Sequence, residues 1–313
     1  MLLGTFVRSA WPGAHYPMNR RQFTRSALAA ALATMTLPRS LQAAGPAGRR
    51  YLANIGLQLW TVRNALAADA PGTLKAVKDA GYVQVELMNT ASAAEIVPLA
   101  AKAGLAVTSS MIDWNSLVNP ATPKTPTLDE TLEVARTHKL KYLVFGYIGK
   151  GSRETVKQMT SIAAAANAFG RKCRDAGVQL CYHHHSFEFA TLDDQKTTGW
   201  DIFVREFDPA LVKFEIDVFW AAIGGLDPVK TLRDLKGRVA QVHLKDLAAG
   251  TGVILDEGAV PHPAFKELGQ GSLEMRRIVE VCEETGVDQC HVEQNQSPDA
   301  LASIATSMKF LRA

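Results

Sequence analysis

From residue 54 onward, short apolar runs alternate with amphipathic stretches. The apolar runs fall at 54–60, 82–88, 105–112, 140–147, 178–184, 211–218, 238–244 and 288–294, and each has strand length. The stretches between them carry helical periodicity. Several end on glycine before the next strand: TLKAVKDAGY, EIVPLAAKAGL, NAFGRKCRDAGV and IVEVCEETGV. Glycine suits the left-handed conformation that stops a helix. Eight strands alternating with eight helices predict an α/β fold, a single (β/α)8 TIM barrel over residues 52–312. A doubly wound open sheet is the competing arrangement, but no glycine-rich phosphate fingerprint follows the first strand. The stretch 245–271 is the longest insertion and reads as a loop over one barrel face.

Side chains of a strand alternate between the helix layer and the barrel interior. With the apolar residues set against the helices, a polar set points inward: Gln84 and Glu86, Cys181, His183 and His185, Glu215 and Asp217, Gln241, His243 and Lys245, His291 and Glu293. His184 of the triple histidine in LCYHHHSFEF faces away. Several of these groups fall near the C-terminal ends of strands, where barrel enzymes carry their active sites. Buried carboxylates and imidazoles without partners are costly. A cation held by two carboxylates and two imidazoles removes that cost. Asp217, His243, Glu293 and His183 are the candidate set, with His185 as the alternative on the fifth strand. Gln58 on the first strand and Trp220 after the sixth are candidate substrate contacts.

Composition changes this picture little: 313 residues, 47% hydrophobic and 21% charged, suit one large globular domain. Charge changes it more. The formal net charge of +3 owes its sign to Arg8, Arg20, Arg21, Arg25 and Arg39, which lie in a stretch without acidic residues. Without those five, 29 of the 34 basic residues face 31 acidic ones, a net of −2, so a basic nucleic-acid-binding surface is not supported. Residues 1–45 read as a cleavable signal segment: a basic stretch from Met18 with paired Arg20 and Arg21, a short alanine-rich apolar stretch, then small residues. The paired arginines resemble a bacterial twin-arginine signal, which implies the twin-arginine export machinery as a partner and a periplasmic or otherwise exported protein. Cys173, Cys181, Cys282 and Cys290 lack CxxC spacing and read as buried free thiols.

The segments GLQLWTVR, GYVQVEL, CYHHHSFEF, VKFEIDVFW, GRVAQVHLKD, GQGSLEMRRI and HVEQNQ, in that order, resemble the sugar phosphate isomerase/epimerase family with its xylose isomerase-like barrel. Inosose dehydratases and ketose epimerases belong to the same group. The resemblance implies one divalent cation at the barrel mouth, often manganese, with ligands at His183, Asp217, His243 and Glu293. Two positions depart from the pattern. Many members have glutamate where this chain has His183, and the change to imidazole favours manganese, zinc, iron or cobalt over magnesium. Ketose epimerases tend to have histidine where this chain has Trp220, which offers a stacking surface for a sugar ring instead.

The chemistry implied is removal of a carbon-bound proton beside a carbonyl, assisted by the cation through an enediolate. The expected activity is therefore a metal-dependent isomerase or epimerase acting on a small keto-sugar. Glu293, Glu86 and His185 are the candidate bases, and Lys245 would hold an oxyanion or protonate a leaving group. The alternative is a 3-keto-glycoside lyase or hydratase, or an inosose-type dehydratase, on the same barrel. Export favours substrates without phosphate, such as oxidised sugars or glycosides. An abasic-site endonuclease would need a larger metal cluster and a phosphate-binding surface. A non-catalytic sugar binder with a structural metal, and assembly as a homo-oligomer, also fit the sequence.

Overall fold

The computed structural model describes residues 49–313. The signal segment expected over residues 1–45 lies outside the described residues. Eight parallel strands close into a barrel in chain order: β1 Gly56–Gln58, β2 Gln84–Leu87, β3 Ala106–Met111, β4 Tyr142–Phe145, β5 Gln179–His183, β6 Val212–Asp217, β7 Val239–Leu244 and β8 Gln289–Val292. The last strand pairs with the first, Gly56 beside His291 and Leu57 beside Val292. This is the (β/α)8 architecture that the alternation predicts.

Local chemistry fixes the helices between the strands. Threonine capping boxes open three of them, Thr127 with Glu130, Thr155 with Gln158 and Thr198 with Asp201. Each box satisfies backbone N–H groups that the first helical turn leaves free. Gly81 and Gly286, at φ 108° and 80°, close the helices Ala70–Ala80 and Met275–Thr285 in a conformation that a side chain would strain.

The outward strand residues Val85, Leu87, Leu180, Tyr182, Phe214, Ile216, Val242, Leu244, Cys290 and Val292 all belong to one buried core with the helices. Packing against the helix layer therefore sets the strand register, and the polar alternates turn inward. Tyr142, Val144, Cys181 and Ala240 form a separate small apolar cluster, with Met111 packed against it. The described cysteines are free and buried.

The insertion after β7 is anchored at its base and laid over neighbouring loops. Asp246–Leu247 pairs antiparallel with Phe265–Lys266. The buried Asp246 carboxylate accepts four backbone N–H groups, from Leu247 (2.9 Å), Gly269 (2.9 Å), Gly271 (3.1 Å) and Leu273 (3.1 Å). A Cβ at Gly271 would lie 2.2 Å from Asp246 Oδ1, so glycine is what lets the loop approach this carboxylate. Further along, the strap reaches the loops after β6, β5 and β4. Ile254 N donates to Ile223 O, Ser186 Oγ to Leu255 O, and Tyr147 and Arg153 both meet Glu257.

Removing the Asp246 acceptor strands four donors, and hydrogen bonds to a charged group contribute about 1.5–3 kcal/mol each. Asp246→Ala should destabilise the fold by roughly 3 kcal/mol or more in urea denaturation, with Asp246→Asn markedly milder. A loss below about 1 kcal/mol for the alanine variant would show that the carboxylate does not organise this loop.

Candidate active site

The triple histidine divides as strand geometry requires. His184 turns toward the helices, with its ring 5.1 Å from Trp200 and 5.6 Å from Phe189, and its Nδ1 bonds the His185 carbonyl at 3.0 Å. His183 points into the barrel, 4.7 Å ring to ring from His243. His185 lies beyond the strand end beside Trp220 (5.0 Å), Tyr147 (5.6 Å) and Phe187 (5.8 Å). Its backbone N–H donates to the buried Glu188, which also accepts from the Tyr182 hydroxyl. Burial pushes the Glu188 carboxyl up to about 7.

Asp217 ends β6 and caps the helix Val218–Ile223. Its Oδ1 accepts from Phe219 N and Trp220 N, at 2.9 and 3.0 Å. Those bonds aim the second oxygen into the barrel, where Lys245 Nζ stands 2.8 Å away. The same ammonium is 2.6 Å from Glu293 Oε2 and lies over the Trp220 and Phe219 rings at 5.3 and 5.7 Å. Burial opposes the charge of Lys245, but Asp217 and Glu293 outweigh it and hold the ammonium protonated.

His243 joins two levels of this interior. Its Nδ1 edge looks toward the mouth, 3.3 Å from Glu293 Oε2 and 4.0 Å from Asp217 Oδ2. Its Nε2 edge looks inward, 2.7 Å from Glu86 Oε2 and 3.3 Å from Glu215 Oε2. Burial works against charge on this imidazole, yet Glu215 and Glu86 hold its pKa well above the ordinary value. Burial pushes the carboxyl of Glu215 up to about 8, with the nearby Glu86 adding to it. His183 moves the other way: burial, then the neighbouring His243, keeps it neutral.

Two of the residues read from the sequence have partners that strand alternation did not show. Glu86, read as a base, is fully buried. It accepts from Gln58 Nε2 (2.7 Å) and Ser109 Oγ (2.6 Å) and faces His243 Nε2. Burial alone would raise its pKa, but His243 brings it down to about 2. A carboxylate this occupied is a poor proton acceptor and a good clamp for one imidazole edge. Gln58, read as a substrate contact, uses both ends of its amide within the protein, since its Oε1 accepts from Trp60 N at 2.9 Å. Strand alternation put both side chains inward but gave no account of their partners on other strands.

His183, Asp217 and His243 offer donor atoms within 4.8 Å of one another, all buried. Among the described residues, His183 Nδ1 and Asp217 Oδ2 make no hydrogen bond of good geometry. The residues thus fit a divalent cation, with nitrogen and oxygen donors of the type that first-row metals take. Glu293 stands at the edge of this group, held by Lys245. A second set, Glu86, Glu215, His243 and His291, also falls within 4.8 Å. Alternation placed Glu215 and His291 inward, but their meeting across the barrel depends on register between strands distant in sequence.

The profile of the xylose isomerase-like TIM barrel matches residues 74–313, and the chain belongs to that family. An inosose dehydratase of Clostridium tetani is 26% identical over 151 residues, 46% of this chain and 49% of that protein, so the chain spans about half the length of the curated relatives it matches. A sugar phosphate isomerase/epimerase from Parabacteroides distasonis superposes with a TM-score of 0.65 at 22% identity, covering 82% of this chain and 96% of the other. A xylose isomerase-like barrel protein from Mycobacterium smegmatis, solved in complex with magnesium, does so at 0.59 and 14% identity, covering 82% and 95%. At these identities the structural likenesses speak for the fold.

The division of the histidines can be checked by substitution. His184→Phe keeps a ring in the Phe189–Trp200 slot and gives up one hydrogen bond, so it should cost about 1 kcal/mol and leave metal uptake intact. His183→Phe should abolish or sharply weaken that uptake. Equal metal loss in both variants, read by elemental analysis, would overturn the assignment.

Proposed function

We propose that the chain is a divalent-metal-dependent sugar isomerase or epimerase, moving a carbon-bound proton beside the carbonyl of a small keto-sugar. The convergence of His183, Asp217 and His243 donors at the C-terminal end of the barrel, with the Lys245–Glu293 pair against them, carries this reading. Manganese suits the donor set, and zinc, iron(II) and cobalt(II) are close in preference. A cation there would supply Lewis-acid polarisation of the carbonyl and charge opposite an enediolate.

The chain's own groups supply the rest. Lys245, held charged between Asp217 and Glu293, faces developing negative charge and can deliver a proton to a departing or carbonyl oxygen. Burial, then the nearby Lys245, lowers His185 to about 3, and its Nδ1 has no hydrogen-bond partner among the described residues. His185 is therefore neutral at physiological pH and is the partly exposed proton acceptor of the site. Glu86 is a positioning residue: by accepting from Nε2–H it holds the Nδ1 edge of His243 toward the mouth. Trp220, nearly buried at 3% exposure, packs at a tilt against His185 with ring centres 5.0 Å apart and walls the site.

Elimination is the second reading, through a lyase, hydratase or inosose-type dehydratase. The ammonium of Lys245 at the mouth favours it, because expulsion of a β-oxygen needs a proton donor. Similarity over half a chain to inosose dehydratases points the same way.

Incubation of metal-loaded protein with keto-sugars and inososes in heavy water should place deuterium on the carbon beside the carbonyl. Retention of all substrate atoms marks isomerisation, and loss of water or a glycosyl alcohol marks elimination. Absence of exchange across the panel in fully metallated protein counts against both. Asp217→Asn should lose the cation at the mouth and turnover together. Glu86→Gln should weaken metal binding by about 10–100-fold, the usual effect of removing a carboxylate behind a metal-binding histidine.

The pH profile gives a separate check. The protonated form of His185 is the inactive one, and its pKa is lowered, so its acid limb moves to lower pH. Turnover per KM should stay flat from about pH 8 down to about pH 5 in metal-saturated protein. An acid limb centred near an unshifted imidazole, about 6.5, would remove His185 from this role.

A further inference from the structure

We propose a second cation site one level deeper in the barrel, on Glu86 of β2, Glu215 of β6 and His291 of β8, with the Nε2 edge of His243 beside them. It lies below the mouth, with His243 common to both sets and His183 Nδ1 3.3 Å from Glu215, and is not required by the proposed reaction. The four side chains are fully buried and offer donor atoms within 4.8 Å of one another. Neither ring nitrogen of His291 and neither carboxylate oxygen of Glu215 makes a hydrogen bond of good geometry among the described residues, although Glu215 Oε2 lies 3.3 Å from both His243 Nε2 and His183 Nδ1. An unsatisfied buried polar group is costly, and charged groups most of all.

Charge points the same way. Glu86 and Glu215 converge, and two carboxylates in one site repel unless a cation or a proton stands between them. Lys245 is already taken up by Asp217 and Glu293 at the mouth. Glu86 also accepts from Gln58 and Ser109, whereas Glu215 is met by imidazoles, with His243 Nε2 and His183 Nδ1 each 3.3 Å from its Oε2. His243 separates the two levels, with Nδ1 toward Asp217 and Glu293 and Nε2 toward Glu86 and Glu215.

The backbone makes room for this arrangement. Gly56 of β1 is paired with His291, and a Cβ at Gly56 would lie 2.1 Å from His291 Cδ2. The lack of a side chain on β1 lets the imidazole turn over that strand, toward the two glutamates. Two carboxylates and the His291 imidazole suit zinc, manganese, iron(II) or cobalt(II). The ion would tie three strands across the barrel, so its contribution would be to stability.

Elemental analysis of the full chain, reconstituted with excess manganese or zinc and desalted, tests this. Wild-type protein should retain two equivalents. Asp217→Asn should retain one, and adding His291→Leu or Glu215→Gln to it should leave none. The Asp217→Asn protein should also melt at a higher temperature with the metal than with chelator, a shift absent from the double variants. A wild-type chain that binds one equivalent and loses it on Asp217→Asn overturns the deeper site, whether or not the lower variants fold. So does unchanged uptake in folded double variants. One equivalent that survives Asp217→Asn but is lost on His291→Leu supports the deeper site and removes the mouth reading instead.

Discussion

Burying four carboxylates inside a closed sheet is the constraint on which the rest of this structure depends. Glu86, Glu215, Asp217 and Glu293 all point into the barrel, where solvent cannot stabilise their charge. One ammonium, from Lys245, reaches two of them. The remaining compensation comes from imidazoles, from Gln58 and Ser109 at Glu86, and from the backbone N–H groups of Phe219 and Trp220 at Asp217. A purely apolar interior would give a more stable barrel, as replacements of buried ion pairs often show. The chain instead concentrates its electrostatic cost in one place, which is where barrel enzymes place their chemistry.

The outer half of the design supports the inner half. Outward strand residues such as Leu180, Tyr182, Val242 and Leu244 are locked in the helix-facing core, and a slip of one residue would exchange them for His183 or His243. Apolar packing on one face therefore fixes functional geometry on the other. Asp217 makes the point locally. Its capping bonds to Phe219 and Trp220 belong to the following helix, yet they determine which carboxylate oxygen faces Lys245.

Period-two alternation was enough to read the barrel and the inward polar set, because each is decided within one strand. It separated His184 from His183 for the same reason. It could not show that Glu86 and Gln58 consume each other's hydrogen-bonding capacity, since their meeting depends on the register of β1 against β2. Nor could it show that His243 presents opposite edges to two sets of donors. Those relations are set by side chains from strands up to 157 residues apart, Glu86 and His243 being one such pair. Glu215 and His291 were recognisable as inward residues, but their partners were not recognisable from their neighbours in the chain.

The strap after β7 has a consequence for the order of assembly. Glu257 meets Arg153 across 104 residues of chain, and Tyr51 reaches Val287 across 236. Contacts so distant in sequence are entropically expensive to form early and slow the final steps of folding. A chain that has completed β1 to β4 already carries Tyr147 and Arg153, but lacks the segment that braces them. The rim of the mouth thus gains these contacts only after β7 and its insertion have docked. A partly synthesised or nicked barrel can keep native-like strands while remaining open along its rim, exposed to proteases at the loops that later form the wall of the site.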